Sequence, residues 1–210
     1  MGVVMPCPSL ESLISHQIQQ WNDLRHHLQG QQENDRGHPG PVLTVSRLAG
    51  SGGRTLATEL AKRLGLDLQD QSMLQDIGMT DQCSRELVYI VTRLAERGGV
   101  VFLGRGAHLI LKEKADLRIR VVAPDQCRIE NLRRRLEITR AEARLLIEEA
   151  DRRRQDFVRK AFHTEPGLAE NYDLILNSHR LGMDGMIDLV LQALLQRQVL
   201  DRPRAMGGSG

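Results

Sequence analysis

Ten residues, Ser46-Arg-Leu-Ala-Gly-Ser-Gly-Gly-Arg-Thr55, constrain this chain more than any other stretch. They stand between an apolar run, Val42-Leu-Thr-Val45, and a segment with helical apolar spacing at Leu56, Leu60, Ala61 and Leu64, which Gly65 closes as a C-cap. A strand, a glycine turn and a helix in that order open an α/β unit. In such a turn the backbone N–H groups and the positive helix N-terminus converge on one small volume, which suits an anion such as phosphate. Glycines let the backbone approach closely, because a Cβ would obstruct it. From the pattern alone the run is either a phosphate site or a structural turn.

The standard phosphate loop is G-x-x-x-x-G-K-[ST]. Here Arg47 occupies the first glycine position, Gly53 stands where the lysine belongs, Arg54 follows, and Thr55 comes one place later than the usual hydroxyl residue. Arg47 and Arg54 are the candidates to supply the missing charge.

The alternation continues downstream. Helices are expected over Gln71 to Ile77 and Ser84 to Arg97, with Gly98-Gly99 as the stop. Val100 to Leu103 reads as a second buried strand, followed by Gly104-Arg105-Gly106, and Leu117 to Ala123 as a third. Pro124-Asp125 opens a helix to about Leu136, and Thr139-Arg-Ala-Glu142 has the capping-box pattern for a long helix to about Phe162. Leu174 to Leu176 is a further strand, and Asp184 to Leu200 a closing amphipathic helix. Apolar strands alternating with helices predict an α/β fold, a parallel sheet covered on both faces. Residues 1–40 stand apart: Leu10, Leu13, Ile14, Ile18, Trp21, Leu24 and Leu28 mark one helix face, and a polar Gly/Pro linker follows to Pro41. That helix is expected either to pack on the main domain or to serve oligomerisation or a partner.

Composition excludes several functions. Across 210 residues, 29 Lys+Arg balance 27 Asp+Glu to a net charge of +2, and aromatics are 3%. No nucleic-acid partner is expected, since neither a basic excess nor a base-stacking surface is present. Cys7, Cys83 and Cys127 lack metal-ligand spacing and are odd in number, which argues against a disulfide framework and for a cytoplasmic location. The seven histidines show no ligand spacing, so no metal-binding residue is assigned, and no apolar run is long enough for a membrane. Of the 29 basic residues 25 are Arg, and arginine's planar fork is suited to phosphate.

The segment around Leu43-Thr-Val-Ser-Arg-Leu-Ala-Gly-Ser-Gly-Gly-Arg-Thr-Leu-Ala57 resembles the cytidylate kinase-like family, P-loop proteins of the nucleoside monophosphate kinase group. Further blocks agree: Val101-Phe-Leu-Gly-Arg-Gly-Ala-His108, Val121-Val-Ala-Pro-Asp-Gln-Cys-Arg128, Ile147-Glu-Glu-Ala-Asp-Arg-Arg-Arg154 and Tyr172-Asp-Leu-Ile-Leu-Asn177. The resemblance covers roughly residues 42–195. It implies a P-loop NTPase-like three-layer fold over residues 41–200, with a helical lid over roughly 125–165, an N-terminal helical extension over 1–40 and a flexible tail over 201–210.

The resemblance also implies roles. ATP with Mg²⁺ would lie in the loop at Gly50, Ser51, Gly52, Gly53, Arg54 and Thr55. Asp70, Arg105, Arg128 and Asp151 would serve the monophosphate substrate. Arg54, Arg105, Arg152 and Arg154 would act on the transferring phosphoryl group, the last two as part of the lid's D-x-x-R. Phosphoryl transfer is largely positioning plus neutralisation of oxygen charge, which arginines provide. The implied activity is ATP-dependent phosphorylation of a nucleoside monophosphate such as CMP. Two departures bear on it. Losing the loop lysine removes a transition-state contact worth about 3 kcal/mol, roughly 100-fold in rate. Gly106 replaces the Asp of the family's Gly-Arg-Asp turn, which bears on cytosine selection. The alternative reading is a nucleotide-binding regulatory or interaction protein with a degenerate loop.

Overall fold

A computed structural model describes residues 40–70, 81–104 and 106–197, with side chains in the helix that opens at Asp81 described from Leu87 onward. The expected N-terminal helix, the helix over Gln71 to Ile77 and the tail lie outside the described residues.

Five parallel strands form one sheet: β1 (Val42–Arg47), β2 (Asp67–Asp70), β3 (Val100–Leu103), β4 (Leu117–Val122) and β5 (Leu174–Asn177), in the order β2-β3-β1-β4-β5. The helices are α1 (Gly53–Leu64), α2 (Asp81–Arg97), α3 (Ala107–Leu111), α4 (Asp125–Leu136), α5 (Arg140–Phe162) and α6 (Ser178–Gln196). The chain runs outward from β1 to β2, returns through β3, then crosses β1 to reach β4. β1 is therefore at the switch point, where open α/β sheets place their ligands beyond the carboxyl ends of the strands.

The strand period of two sends alternate side chains to opposite faces. Leu43 and Val45 of β1, Val101 and Leu103 of β3, and Leu117, Ile119 and Val121 of β4 pack with α1 and α6. Val42, Val100 and Phe102 point the other way, against α2 and α3. Phe102 is fully buried there, and truncating such a side chain costs about 3–5 kcal/mol. A third, smaller cluster joins Ala49 of the loop to Ile129, Leu132, Ala143 and Ile147 of α4 and α5. These two helices are seated on the loop itself.

The capping box at the head of α5 is formed: Thr139 Oγ1 accepts from Glu142 N at 3.3 Å, and Glu142 Oε2 accepts from Thr139 N at 2.8 Å. Two elements were not expected from the sequence, and one expectation needs correction. β2, Asp-Leu-Gln-Asp, has no apolar run; it is an edge strand made by pairing with β3. Ala107–Leu111 is a short helix after the Gly104–Gly106 turn. The closing helix begins at Ser178, with Asn177 Oδ1 accepting from His179 N at 3.1 Å, and it kinks at Gly182, where φ is 68°. Among the described residues no helix is long and apolar enough to cross a membrane.

Candidate active site

The loop leaves β1 at Arg47 and enters α1 at Gly53. Two left-handed glycines shape it, Gly50 (φ 74°) and Gly52 (φ 83°), the latter as N-cap of α1. Other side chains are strained in that conformation, and at Gly50 a Cβ would also lie 2.5 Å from the Arg128 carbonyl oxygen on α4.

The hydrogen bonds of the loop divide it into two halves. Its first half is satisfied by protein. Leu48 N donates to Val121 O at 3.1 Å. Ala49 N donates to Asp151 Oδ1 at 2.8 Å, and Ala49 O accepts from Arg128 Nη1 at 3.1 Å. Gly50 O accepts from Asn131 Nδ2 at 3.0 Å. The second half, from Gly52 to Thr55, presents the first turn of α1, whose N–H groups have no partner within the helix. It faces a cleft of about 570 Å³, whose other walls are Asn131, Arg135 and Leu136 of α4 and Leu146 and Arg154 of α5.

The sequence-derived site residues fall into distinct positions. Ser51 is fully buried, and its Oγ donates to Leu48 O (2.8 Å) and Val121 O (3.1 Å), so its hydroxyl shapes the turn and does not face the cleft. Gly50, Gly52, Gly53, Arg54 and Thr55 all line the cleft, with the Thr55 side chain exposed on the first turn of α1. Arg54 pairs with Asp70 at 2.5 Å, joining the head of α1 to the end of β2. Arg128 and Asp151 pair with each other at 2.5 Å, and both grip the backbone of Ala49. Their geometry is that of loop holders. The Arg128 pKa is raised: burial opposes the charge, but hydrogen bonds to Asp125 and Asp151 outweigh it.

Arg154 enters the cleft from α5, one turn beyond Asp151, to which it donates at 3.1 Å. Its Nε is buried without a partner. Burial lowers its pKa, and Arg54 and Arg128 lower it further against the pull of Asp151. Arg152 is exposed and lines a separate groove between α4 and α5 with Arg144 and Glu148; it is not part of the loop cleft. Arg105 lies outside the described residues.

Arg47 is one of the two candidates for the missing loop charge. It is 8% exposed and lines the loop cleft. A Cβ at Gly53 would lie 2.5 Å from the Cβ of Arg47, and one at Gly104 would collide with its Nη1. A side chain at the lysine position would thus collide with the stem of Arg47.

Behind Arg47 and Arg154 lies a second, smaller cavity of about 70 Å³, bordered by Gly104, Gly106, Arg120 and His108. His108 stacks on Tyr172 with ring centroids 4.7 Å apart, and its Nε2 is buried without a partner. Burial, with Arg120 and Arg118 nearby, pushes its pKa down to about 4, so it is neutral at pH 7. Tyr172 Oη donates to Pro166 O at 2.7 Å, and Arg120 donates to both.

Orphaned buried nitrogens on Arg154 and His108, open amides on the loop and several guanidiniums suit a polyphosphate. For Mg²⁺ the donor set is sparse: among the described residues no three His, Cys, Asp or Glu side chains converge. A Mg²⁺ ion at this site would have to be held chiefly by a nucleotide's own phosphates.

Comparison with known proteins bears on the fold and the family. A crystal structure of an uncharacterized protein from Eubacterium ventriosum superposes with a TM-score of 0.65, over 72% of this chain and 96% of that one, at 17% identity. That likeness supports the fold alone. The cytidylate kinase of Thermococcus sibiricus is 34% identical over 173 residues, spanning 73% of this chain and 87% of that protein. That of Pyrococcus horikoshii is 32% identical, spanning 73% and 88%. The sequence pattern of the cytidylate kinase-like family matches residues 42–89 and 79–180, from β1 through α5 to the start of α6. With the pattern covering both the loop and the two helices that hold it, this chain belongs to the cytidylate kinase-like family.

Proposed function

We propose that this chain transfers the γ-phosphoryl group of Mg·ATP to a nucleoside monophosphate, with CMP as acceptor. Membership of the family makes it a nucleoside monophosphate kinase by class; the acceptor is the finer reading. The observation that carries it is the loop cleft, in which the open amides of α1 face Arg154 of the lid. Oriented amides at a helix N-terminus bind the donor's phosphates, and a lid arginine with an unpartnered nitrogen neutralises oxygen charge as transfer proceeds. Seating α4 and α5 on the loop also keeps water from the phosphates.

A second reading, a nucleotide-binding regulator without turnover, is favoured by Gly53 alone. An ADP-release assay with Mg·ATP and a panel of nucleoside monophosphates separates the two. Turnover is expected, with CMP the best acceptor. Better turnover of another monophosphate overturns CMP and keeps the class. Calorimetric ATP binding with no turnover on any acceptor supports the regulator.

A further inference from the structure

Arg47 ends β1 and enters the site from beneath the loop rather than from α1. Among the described residues no oxygen accepts a hydrogen bond from its guanidinium. A buried cation left in that state is costly unless a ligand completes it. Burial, followed by repulsion from Arg154, lowers its pKa to about 10, with Asp70 acting in the opposite direction; it is still a cation at neutral pH.

Its path is cleared by two glycines far apart in sequence, Gly53 at its Cβ and Gly104 at its Nη1. With Leu48 and Arg154 it lines both the loop cleft and the smaller cavity, its Cβ beside Gly53 and its guanidinium beside Gly104. The cavity beyond is itself suited to an anion, with Arg120 and the unpartnered Nε2 of His108 in its wall.

We propose that Arg47 is the catalytic guanidinium of this chain: it takes the place of the loop lysine from the β1 side and bridges the donor phosphates in the loop cleft and the acceptor phosphate in the smaller cavity. The proposal rests on the kinase reading above. In the step, an acceptor phosphate oxygen forms the new bond to the γ-phosphorus. The bond from that phosphorus to the β–γ bridging oxygen breaks, and its electron pair stays on ADP. The acceptor attacks as a dianion and releases no proton. Arg47 keeps its own proton and donates to the oxygens of the group in transit, for which its planar fork supplies two parallel bonds.

The test compares wild type with Arg47→Gln, Arg47→Lys and Arg47→Gly. For Arg47→Gln kcat is expected to fall about 100-fold with Tm unchanged or raised. Guanidinium chloride at millimolar concentration is expected to restore turnover to Arg47→Gly. The double variant Arg47→Gly with Gly53→Lys, which frees the space for a lysine, is expected to exceed Arg47→Gly by about tenfold. Wild-type-like kcat in Arg47→Gln overturns the proposal. So does a kcat loss matched by a fall in Tm and not restored by guanidinium. A binding measurement separates failure of this proposal from failure of the kinase reading. A dinucleoside pentaphosphate carrying adenosine and cytidine spans both cavities, and its affinity is expected to fall about 30-fold in Arg47→Gln, more than that of ATP or CMP alone. If the wild type turns nothing over but this dependence holds, the kinase reading fails and the bridge stands. If the affinity does not depend on Arg47, the bridge fails whatever the turnover.

Discussion

The Cβ of Arg47 lies 2.5 Å from the point where a Cβ on Gly53 would stand. Real Cβ atoms do not approach so closely, so the two positions cannot both carry side chains in this backbone. The arginine at the start of the loop and the glycine at its lysine position are one coupled arrangement. Gly53→Ala is therefore expected to destabilise the protein by about 1–3 kcal/mol through overpacking. Gly53→Lys alone is expected to lower turnover rather than raise it. Thermal melts and kcat for the two variants check this; an unchanged Tm in Gly53→Ala would contradict it.

Ser51→Ala removes a buried hydroxyl that donates to two carbonyls and changes little else. A stability loss of about 1–2 kcal/mol is expected from the lost bonds. Because the hydroxyl shapes the turn without facing the cleft, KM for ATP is expected to rise more than kcat falls. Denaturant unfolding and steady-state kinetics measure the two effects.

Asp151→Asn leaves Arg128 buried with its charge only partly balanced by exposed Asp125. Breaking such a pair costs about 3 kcal/mol. Asp151→Asn is thus expected to lose about that much, and Asp151→Leu more, because leucine also takes the acceptor from Ala49 N and Arg154. Equal stabilities of the two variants in urea unfolding would contradict this.

Arg152 and Arg154 are two residues apart on α5 but line different cavities. Arg154→Ala is expected to lower kcat about 100-fold, while Arg152→Ala stays within about threefold of wild type. Comparable losses in both would place the two arginines differently from this structure.

His108 is neutral in the fold, with a pKa of about 4 against an ordinary value of 6.5. The unfolded chain therefore binds more protons between these values, and stability is lost as pH falls from 6.5 toward 4. At 1.36 kcal/mol per unit this contribution is on the order of 3 kcal/mol. Urea unfolding from pH 7 to 4 is expected to show it, and His108→Phe is expected to flatten the profile in that window.

What the sequence disclosed was local. The β1-loop-α1 unit was legible because an apolar run, a glycine cluster and a helical leucine period adjoin one another. The capping box at Thr139 was legible for the same reason. β2 was not, because Asp67 to Asp70 become a strand only by lying against β3. In β4, Leu-Arg-Ile-Arg-Val-Val was read as a buried run, whereas Arg118 and Arg120 point to the face away from α1, and Arg120 reaches the smaller cavity. The absence of the lysine was visible at Gly53. The collision a side chain there would make was not, since it depends on Arg47 sharing space with Gly53 and Gly104. Nor could spacing show that Asp151 and Arg128 hold the loop.

The grip on Ala49 has a consequence for how the protein is made. Asp151 is 102 positions downstream of the amide it binds, and Arg128 is 79 positions downstream of the carbonyl it binds. A ribosome adding about 5–20 residues per second delivers them several seconds after the glycine run has emerged. Throughout that interval the nascent loop lacks the side chains that give it shape, however complete β1 and α1 are. The loop's set of holders is therefore complete only when α5 is long enough to reach back.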